Sequence, residues 1–435
     1  MKTLSDQRPV TGTLVGEPKG LTRAFIALRH RNFRLFWYSQ MVSLIGTWMQ
    51  TTAQSWLVLE LTHGSALWLG IVGALQFLPI MLFALFGGVL ADRLPKRSLL
   101  LFTQTAATIQ AVVLWLLVFT GLVQLWHVLI LAALLGITNS LDMPTRQAFV
   151  VEMVERDELP NAVALNSSIF NMARVVGPGL GGLLIAWLGV APLFLLNAIS
   201  FIPVIIAIAF IDPKRLYNQV KKNIAVPKQG TFQSLREGLV YIRQTPAVFM
   251  IITVIGAVSL FGINFNVVLP LFATNVLHSG AVGYGLISSA IGLGALASAL
   301  WIAWGNKTPS IPKMLVGAIV FSVFEILFAL SHLYVLSLLL IAIVGYTQIT
   351  FSATANTTIQ TVTPNHLRGR VMSVYMLVFA GSTPLGNLFV GILAHVYNAP
   401  IATIVCGVIS LAAALIGWFL RKSAERDVVQ SISTK

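Results

Sequence analysis

Hydrophobic residues along the chain fall into twelve long runs that polar segments separate. Each run is close to or above the roughly 20 residues that an apolar α-helix needs to cross a bilayer. One long polar interval, 212–246, divides the runs into two sets of six. The pattern predicts an all-α membrane protein with twelve transmembrane helices, numbered here as spans one to twelve. Their predicted limits are 35–59, 66–90, 99–121, 125–145, 162–188, 191–211, 248–276, 282–304, 314–331, 333–355, 371–396 and 400–420.

The two sets of spans resemble each other in sequence. MVSLIGTWMQ at 41–50 aligns with AVSLFGINFN at 257–266, and the same shift of 216 residues places Gly64 on Gly280. We therefore predict two pseudo-symmetric six-helix bundles, the plan of transporters that rock between two states. The predicted segments are an N-terminal arm (1–34) with a short amphipathic helix, a first bundle (35–211), a central loop (212–247) with a second amphipathic helix, a second bundle (248–420) and a tail (421–435).

Composition supports a membrane protein and argues against other classes. Hydrophobic residues make up 57% of the 435 residues and charged residues 10%, and the mean hydropathy is +0.85, whereas soluble domains carry about 25% charged residues. The polar first twenty residues lack the apolar core of a signal peptide. Cys406 is the single cysteine, so we expect neither a disulfide framework nor a cysteine-rich metal site.

The positive charges are concentrated on one side of the predicted topology. Of the 28 Lys and Arg residues, 27 lie in the termini or in the loops that share their side, and the opposite loops carry none. Short loops rich in Lys and Arg remain in the cytoplasm. We therefore predict that both termini are cytoplasmic, and we explain the net charge of +14 by topology and by attraction to anionic membrane lipid, not by nucleic-acid binding.

Two motifs resemble a known family. GVLADRLPKR at 88–97 resembles the G-x-L-A-D-R-x-G-R-[KR] signature of the major facilitator superfamily, with Pro95 in place of a glycine. GPGLGG at 177–182 is similar to the G-P-x-x-G-G motif of exporters in that superfamily. Three further segments resemble the branch of siderophore exporters and macrolide efflux pumps, the transmembrane secretion effectors. They are LNSSIFNMARVVGP (165–178), EGLVYIRQTP (237–246) and LRGRVMSVYMLVFAGSTPLGNLFVG (367–391). The resemblance covers about 25–420 and implies the twelve-helix fold, a monomer and a small-molecule substrate.

We expect the first motif to form a latch between the cytoplasmic ends of the two bundles. Gly88 would let span two pack closely on span eleven, the neighbour that the resemblance implies. Asp92 would bind the N-terminus of span eleven near 370–373, where unpaired N–H groups and the helix dipole favour a carboxylate. The latch would hold the state that is open to the outside.

We expect the charged residues around the latch to support it. Arg93 and Arg97 would reach Asp142 at the cytoplasmic end of span four. The degraded equivalent of this motif in the second half, GNKTPSIPK at 305–313, has no acid. The alternative is a basic cytoplasmic loop in which the acid is incidental.

The second motif is expected to shape span five. Pro178 removes a backbone hydrogen bond and would kink the helix, while Gly177, Gly181 and Gly182 would allow close helix contact. Such a bend would seal one side of a central cavity and favour export.

A polar stripe in span one is the first candidate for a substrate site. Gln40, Ser43, Thr47, Gln50 and Gln54 follow spacings of three and four, so they share one helical face. Polar groups are costly against lipid, so the stripe should face protein or water. The resemblance implies a cavity lined by spans one, four, seven and ten. The candidate substrate-binding residues are Gln50, Gln54, Arg174, Asn264, Asn266, Gln348 and Asn356. The alternative for each is hydrogen bonding between helices without a ligand.

Ionisable residues at membrane depth are functional candidates by default. Arg174 lies near the middle of span five, where it would bind an anionic substrate group, keep a nearby acid ionised or form a static clasp. Glu325 in span nine and Glu60 at the outer end of span one are the candidate proton-coupling residues. By the resemblance span nine is peripheral, where a protonated Glu325 near lipid would be inert.

The sequence favours a secondary exporter of small amphipathic molecules, drugs or siderophores, that works by alternating access and proton antiport. Many drug–proton antiporters of the superfamily have an arginine in span four and an acid deep in span one, and this sequence has neither. Proton antiport is therefore expected from the resemblance and from the lack of an ATP-binding motif. No P-loop of the G-x-x-x-x-G-K-[ST] type occurs, and we expect no enzyme activity and no cofactor beyond the proton gradient. The alternatives are a flippase for lysophospholipids and a membrane receptor or scaffold without transport. The expected location is the bacterial cytoplasmic (inner) membrane.

Overall fold

The computed structural model describes residues 25–217, 231–304 and 310–433, and no strand occurs in these ranges. The first six long helices are α1 (Arg31–Leu61), α2 (Ala66–Arg93), α3 (Lys96–Phe119), α4 (Leu125–Met153), α5 (Leu159–Leu188) and α6 (Ala191–Phe210). The remaining helices are α7 (Thr231–Gln244), α8 (Pro246–Phe261), α9 (Phe265–Leu271), α10 (Gly280–Trp304), α11 (Ile311–Leu330), α12 (Tyr334–Val362), α13 (Asn365–Val396) and α14 (Ala399–Ser433).

The predicted fold class is confirmed. Within the described ranges, eleven spans are long and apolar enough to cross a membrane, counting α8 and α9 together as span seven. The twelfth is α1, whose 31 residues include the polar stripe, which explains why composition alone does not select it. Helices α10 to α14 are therefore spans eight to twelve.

Helix packing shows the expected pseudo-symmetry. In the first bundle α2 packs on α4, α3 on α6 and α1 on α5, and in the second α10 packs on α12, α11 on α14 and α8 on α13. The main contacts between bundles are α2 with α13 and α5 with α10. A pseudo-two-fold rotation that places one bundle on the other also places the α2–α13 pair on the α10–α5 pair.

Span seven is interrupted between α8 and α9. The helix stops at Phe261 and resumes at Phe265, because Gly262 is a poor helix former and the side chain of Asn264 replaces the lost main-chain donors. The Asn264 amide donates to the carbonyls of Leu260 and Phe261, at 2.8 and 3.1 Å. These carbonyls at the end of α8 would otherwise lack partners.

Several predicted segments extend beyond the described residues. Most of the arm, 1–24, part of the central loop, 218–230, and the first five residues of the degraded motif, 305–309, lie outside them. The second amphipathic segment forms α7, where Glu237 makes an ion pair with Arg370 of α13. The predicted tail continues the last helix, since α14 extends to Ser433.

Candidate functional site

A crevice between the bundles is visible from the exposure of one face of α5. We call the end of the molecule where α1 begins the inner end, and the opposite end the outer end. On this face Val163 and Ser167 are exposed near the inner end, Arg174 is half-buried, and Pro178 and Ile185 are buried near the outer end. The face is not the lipid side, because the opposite face carries Trp187, which is 74% exposed. The space beside α5 therefore opens toward the inner end.

Helix α13 shows the same gradient in the second bundle. The face that contacts α2 is buried at Asn387 and Gly391 near the outer end. Two to four turns nearer the inner end the same face is exposed, at Ser373, Leu377 and Ala380. Both gradients indicate one crevice that opens at the inner end.

Glycines close the outer end of the crevice. A Cβ added to Gly182 of α5 would lie 2.4 Å from the main-chain oxygen of Ala281 and 2.8 Å from the Cα of Gly285 in α10. A Cβ added to Gly70 of α2 would lie 2.7 Å from the main-chain oxygen of Asn387 in α13. The bundles meet through backbone, so these contacts, the outer glycine contacts, tolerate no side chain.

The G-P-x-x-G-G motif therefore has two contact surfaces. Gly177 and Gly181 face α1, with a Cβ on Gly177 placed 2.4 Å from the Cβ of Trp48. Gly182 faces α10 across the bundle interface. Pro178 lies inside an α5 that remains helical from Leu159 to Leu188.

The loop motif differs from the expectation in two respects. The close contact with span eleven expected at Gly88 is not made in this conformation, since among the described residues no heavy atom lies within 4 Å of a Cβ added there. The close contact occurs one residue earlier, where a Cβ on Gly87 would lie 2.2 Å from the carbonyl of Ser140 in α4. Helix α13 begins at Asn365, so its unpaired N–H groups lie in that first turn and not near 370–373. The side chain of Asp92 lies outside the described part of the chain, and the latch stays a prediction.

The expected partners of Asp142 are also corrected. Arg93 is exposed, and Arg97 donates to the carbonyls of Ile208 and Ala209, at 3.0 and 2.7 Å. These carbonyls lie in the last turn of α6, where main-chain carbonyls have few helical donors; Ile208 also accepts from the N–H of Ile211 at 3.4 Å. Neither arginine binds Asp142.

Asp142 instead forms the centre of a buried polar cluster at the inner end of the first bundle. Its carboxylate accepts bonds of 2.8 Å from Thr103 and from Gln104 of α3, and pairs with Arg146 one turn later on α4. Arg146 also donates to Gln40 of α1. The cluster therefore ties three helices of one bundle together.

Sequence reasoning missed Arg146 and a second ion pair nearby. Lys96 of the motif lies 2.7 Å from Glu152 of α4, with both side chains largely buried. The spacing of four residues between Asp142 and Arg146 was a usable signal, because side chains at that spacing meet on a helix.

We expect Asp142→Asn to lower the stability of the first bundle. The change leaves the Arg146 guanidinium without its counter-ion in a site where the carboxylate is 5% exposed. Removing one partner of a buried ion pair costs about 3–5 kcal/mol, and we expect the lower end because an amide keeps part of the hydrogen bonding. Unfolding in detergent, followed by intrinsic fluorescence, measures the loss.

Arg93→Gln is the control for this experiment, since Arg93 is exposed and exposed charges contribute about 0–1 kcal/mol. Equal stability of the two variants would show that the Asp142 cluster does not hold the bundle together.

The polar stripe of α1 faces the interior of the first bundle and not the crevice. Gln50 is 3% exposed; its Nε2 donates to Gln110 of α3 at 3.0 Å, and its oxygen accepts from Asn197 of α6 at 2.7 Å. Gln54 is also buried. The expectation that Gln50 binds substrate is therefore wrong in this conformation, because its hydrogen bonds are made within the bundle. The alternative of helix-to-helix bonding describes it better.

The four substrate-binding candidates in the second bundle differ in their burial and in their hydrogen bonds. Asn264 is buried in the break of span seven and caps α8, as described above. Gln348 is buried, and its side-chain oxygen has no hydrogen-bond partner within the described ranges. Asn266 and Asn356 are half-buried, and Asn356 accepts a bond from Gln360 on the next turn.

The two candidate proton-coupling residues, Glu60 and Glu325, have different surroundings. Glu60 lies at the outer end of α1 and accepts a bond of 2.8 Å from the indole of Trp56 in an exposed position. Glu325 is 2% exposed, and its Oε2 has no hydrogen-bond partner in the part of the chain that the structure describes. This oxygen lies 3.1 Å from the position of a Cβ on Gly262, at the break of span seven. The expectation that Glu325 lies near lipid is wrong, because α11 directs it into the second bundle.

Comparisons with known proteins agree with this architecture. The family model described as transmembrane secretion effector matches residues 22–434. The chain is 24% identical over 408 residues to the staphyloferrin A transporter of Staphylococcus aureus, covering 92% of this chain and 98% of that one. It is 28% identical over 404 residues to the multidrug efflux pump Tap of Mycolicibacterium fortuitum, covering 91% and 97%. It is 24% identical to the enterobactin exporter EntS of Citrobacter koseri, covering 83% and 85%.

Solved structures share the fold. A bacterial homologue of the human lysosomal transporter Spinster has a TM-score of 0.68 at 12% identity, covering 94% of this chain and 99% of that one. The nucleoside transporter NupG has a TM-score of 0.67 at 13% identity, covering 91% and 99%. Sequence match and fold together show that the chain is a multi-pass membrane transporter of bacterial type, consistent with the inner membrane, and that it belongs to the transmembrane secretion effector family of the major facilitator superfamily.

Proposed function

We propose that the protein exports small amphipathic molecules from the cytoplasm by alternating access in exchange for protons. The observation that carries this proposal is the crevice between the bundles, open at the inner end and closed by the outer glycine contacts. The distribution of Lys and Arg supports a cytoplasmic inner end. A substrate would then enter the crevice from the cytoplasm before the outer contacts separate.

The named relatives support a siderophore or drug as the cargo. One is a transporter of staphyloferrin A, one is a multidrug efflux pump and one is an enterobactin exporter. These names describe the relatives, and the cargo of this chain is our proposal.

Glu325 is the acid that we propose for proton coupling, in preference to Glu60. An isolated ionised carboxylate is costly in an apolar interior, so Glu325 is expected to carry a proton unless its surroundings open to water. Its Oε2 faces the break of span seven, where the backbone already departs from the helix. Broken helices in transporters supply coupling sites for protons or sodium ions. Glu60 is exposed and bonded to Trp56, so its access to water would change less between the two conformations.

The latch at Asp92 belongs to the opposite conformation of this cycle. A separation of the inner ends of α2 and α13 is supported by Gly88, where no heavy atom of the described residues lies within 4 Å of an added Cβ. In the outward-open state these ends would approach, and Asp92 would then be able to bind the first turn of α13 from Asn365 onward.

Transport into inverted membrane vesicles tests the proposed function. We expect a panel of labelled siderophores and drugs to include compounds that accumulate only in vesicles containing the protein and only with an imposed proton gradient. A protonophore should remove most of the accumulation, by about ten-fold or more, since the gradient is the energy source that we propose.

Vesicles without the protein are the control. Accumulation that persists after collapse of the gradient would contradict proton coupling. A complete lack of protein-dependent flux across the panel would contradict export and favour a receptor or scaffold, whereas movement of lysophospholipid alone would favour a flippase.

A further inference from the structure

Arg174 is a cation in the middle of α5 without a described counter-ion. It lies midway along a helix of 30 residues, near the centre of the membrane by its depth. Arg174 is half-buried. Within the described ranges its guanidinium makes no ion pair and no hydrogen bond. A static clasp between helices is therefore not observed.

The position of Arg174 relative to its neighbours directs it toward the crevice. Gly177, one turn later, contacts α1, and the carbonyl of Pro178 contacts α10 at Gly285. Arg174 lies on the face between these two contacts. The same face carries Ser167, which is exposed two turns nearer the inner end. The guanidinium thus borders the space that opens to the inner end.

No acid of the described membrane-spanning segments is placed to neutralise Arg174. Asp142 is bound by Arg146 at the inner end of the first bundle, and Glu325 faces Gly262 inside the second bundle. A charge at membrane depth without a partner is costly. An anion that enters the crevice would relieve this cost, whereas a cation would add to it.

Aromatic side chains adjoin the same face. Trp48 of α1 and Phe170 of α5 pack edge to face with ring centroids 5.9 Å apart. Phe170, one turn before Arg174, is 43% exposed, so it offers an apolar surface beside the guanidinium. A cation next to an exposed aromatic ring suits a ligand with an anionic and an apolar part.

We infer that the crevice selects amphipathic organic anions and that Arg174 binds their oxyanion group, such as a carboxylate, sulfonate or phenolate. The inference rests on the proposed function, because it names the substrate class of the proposed exporter. Arginine fits this role because its planar guanidinium can donate two parallel hydrogen bonds to an oxyanion.

Binding to the purified protein tests the charge preference separately from transport. The probes are three matched pairs with permanent charge: the sulfonates and the trimethylammonium derivatives of naphthalene, biphenyl and anthracene. We expect isothermal titration to show binding of the sulfonates about ten-fold or more tighter than their cationic counterparts. Arg174→Gln should weaken sulfonate binding by about ten- to a hundred-fold, the loss expected for a charge-assisted hydrogen bond. Arg174→Lys should retain part of the affinity because it keeps the charge.

Lys422→Gln is the control for net charge, since Lys422 is exposed on α14 and lies away from the crevice. It should bind all probes as the unmodified protein does. Size-exclusion chromatography and thermal unfolding establish that each variant is folded. The inference is overturned if no sulfonate binds, if the cations bind as tightly, or if Arg174→Gln binds sulfonates normally.

Flux of the same probes in proteoliposomes separates this inference from the proposed function. Selective sulfonate binding together with flux supports both. Selective binding without any flux supports the anion site and contradicts export. Flux of cations and anions at equal rates supports export and contradicts the anion site.

Discussion

Gly182→Ala is expected to abolish transport while leaving the protein folded in the membrane. The new Cβ would lie 2.4 Å from the main-chain oxygen of Ala281 and 2.8 Å from the Cα of Gly285. Both neighbours are backbone atoms of α10, which cannot rotate away as a side chain would. The bundles must therefore separate at the outer end, and the closed outer contact is lost. Overpacking costs about 1–3 kcal/mol, enough to shift the balance of two states by roughly ten- to a hundred-fold.

Two measurements examine the effect of Gly182→Ala. Uptake of an established cargo into inverted vesicles should fall by about ten-fold or more. Leu188→Cys of α5 and Val282→Cys of α10 are suitable for spin labels because both positions are exposed near the outer end. Double electron–electron resonance should report a longer distance between these labels, because the bundles separate there. A buried Cys406 is replaced by serine in all labelled proteins.

The matched control is Gly369→Ala on α13. Among the described residues no heavy atom lies within 4 Å of a Cβ at that position, which is far from the outer glycine contacts, so the distances between the labels should remain unchanged. If Gly182→Ala transported normally with unchanged distances, the outer glycine contacts would not be a gate.

Glu325→Gln is expected to abolish proton-driven accumulation and to spare exchange of cargo across the membrane. Glutamine has nearly the shape of a protonated glutamate, so the second bundle can keep its packing, but it has no proton to release. Because Glu325 is 2% exposed and its Oε2 has no hydrogen-bond partner among the described residues, the substitution leaves no ionised partner behind in that part of the chain. We expect the loss of uphill transport to be about ten-fold or more, as for removal of an essential proton-transfer group.

Two assays on the same vesicles separate these effects. Accumulation under an imposed proton gradient should be lost, and exchange of labelled against unlabelled cargo without a gradient should persist. Glu60→Gln is the control, since Glu60 is exposed and bonded to Trp56, and it should retain both activities. Uphill transport by Glu325→Gln at the normal rate would exclude Glu325 as the coupling acid.

The candidate site was predictable only in part, and the successes and failures have physical reasons. The unusual depth of Arg174 was visible from its position in an apolar run, because a charge inside such a run is rare whatever its contacts. The partners that the Asp142–Arg146 pair finds on other helices were not visible. Thr103 and Gln104 of α3 bond to Asp142, and Gln40 of α1 bonds to Arg146, so these contacts depend on how those helices rotate. Polar stripes such as that around Gln50 show which face avoids lipid, but not whether that face meets a cavity or another helix.

Hydrophobic length and periodicity alone determined the twelve helices, because lipid forces every backbone hydrogen bond into the helix and sets the length of each span. The repeat between 41–50 and 257–266 likewise determined two similar bundles. Only the tertiary structure decided which end of the crevice is open, that Gly182 and not Gly181 meets the other bundle, and that Glu325 faces the break of span seven. These features depend on the rotation of each helix about its axis and on backbone approaches of less than 3 Å. Such approaches arise from packing between helices distant in sequence, which local patterns do not encode.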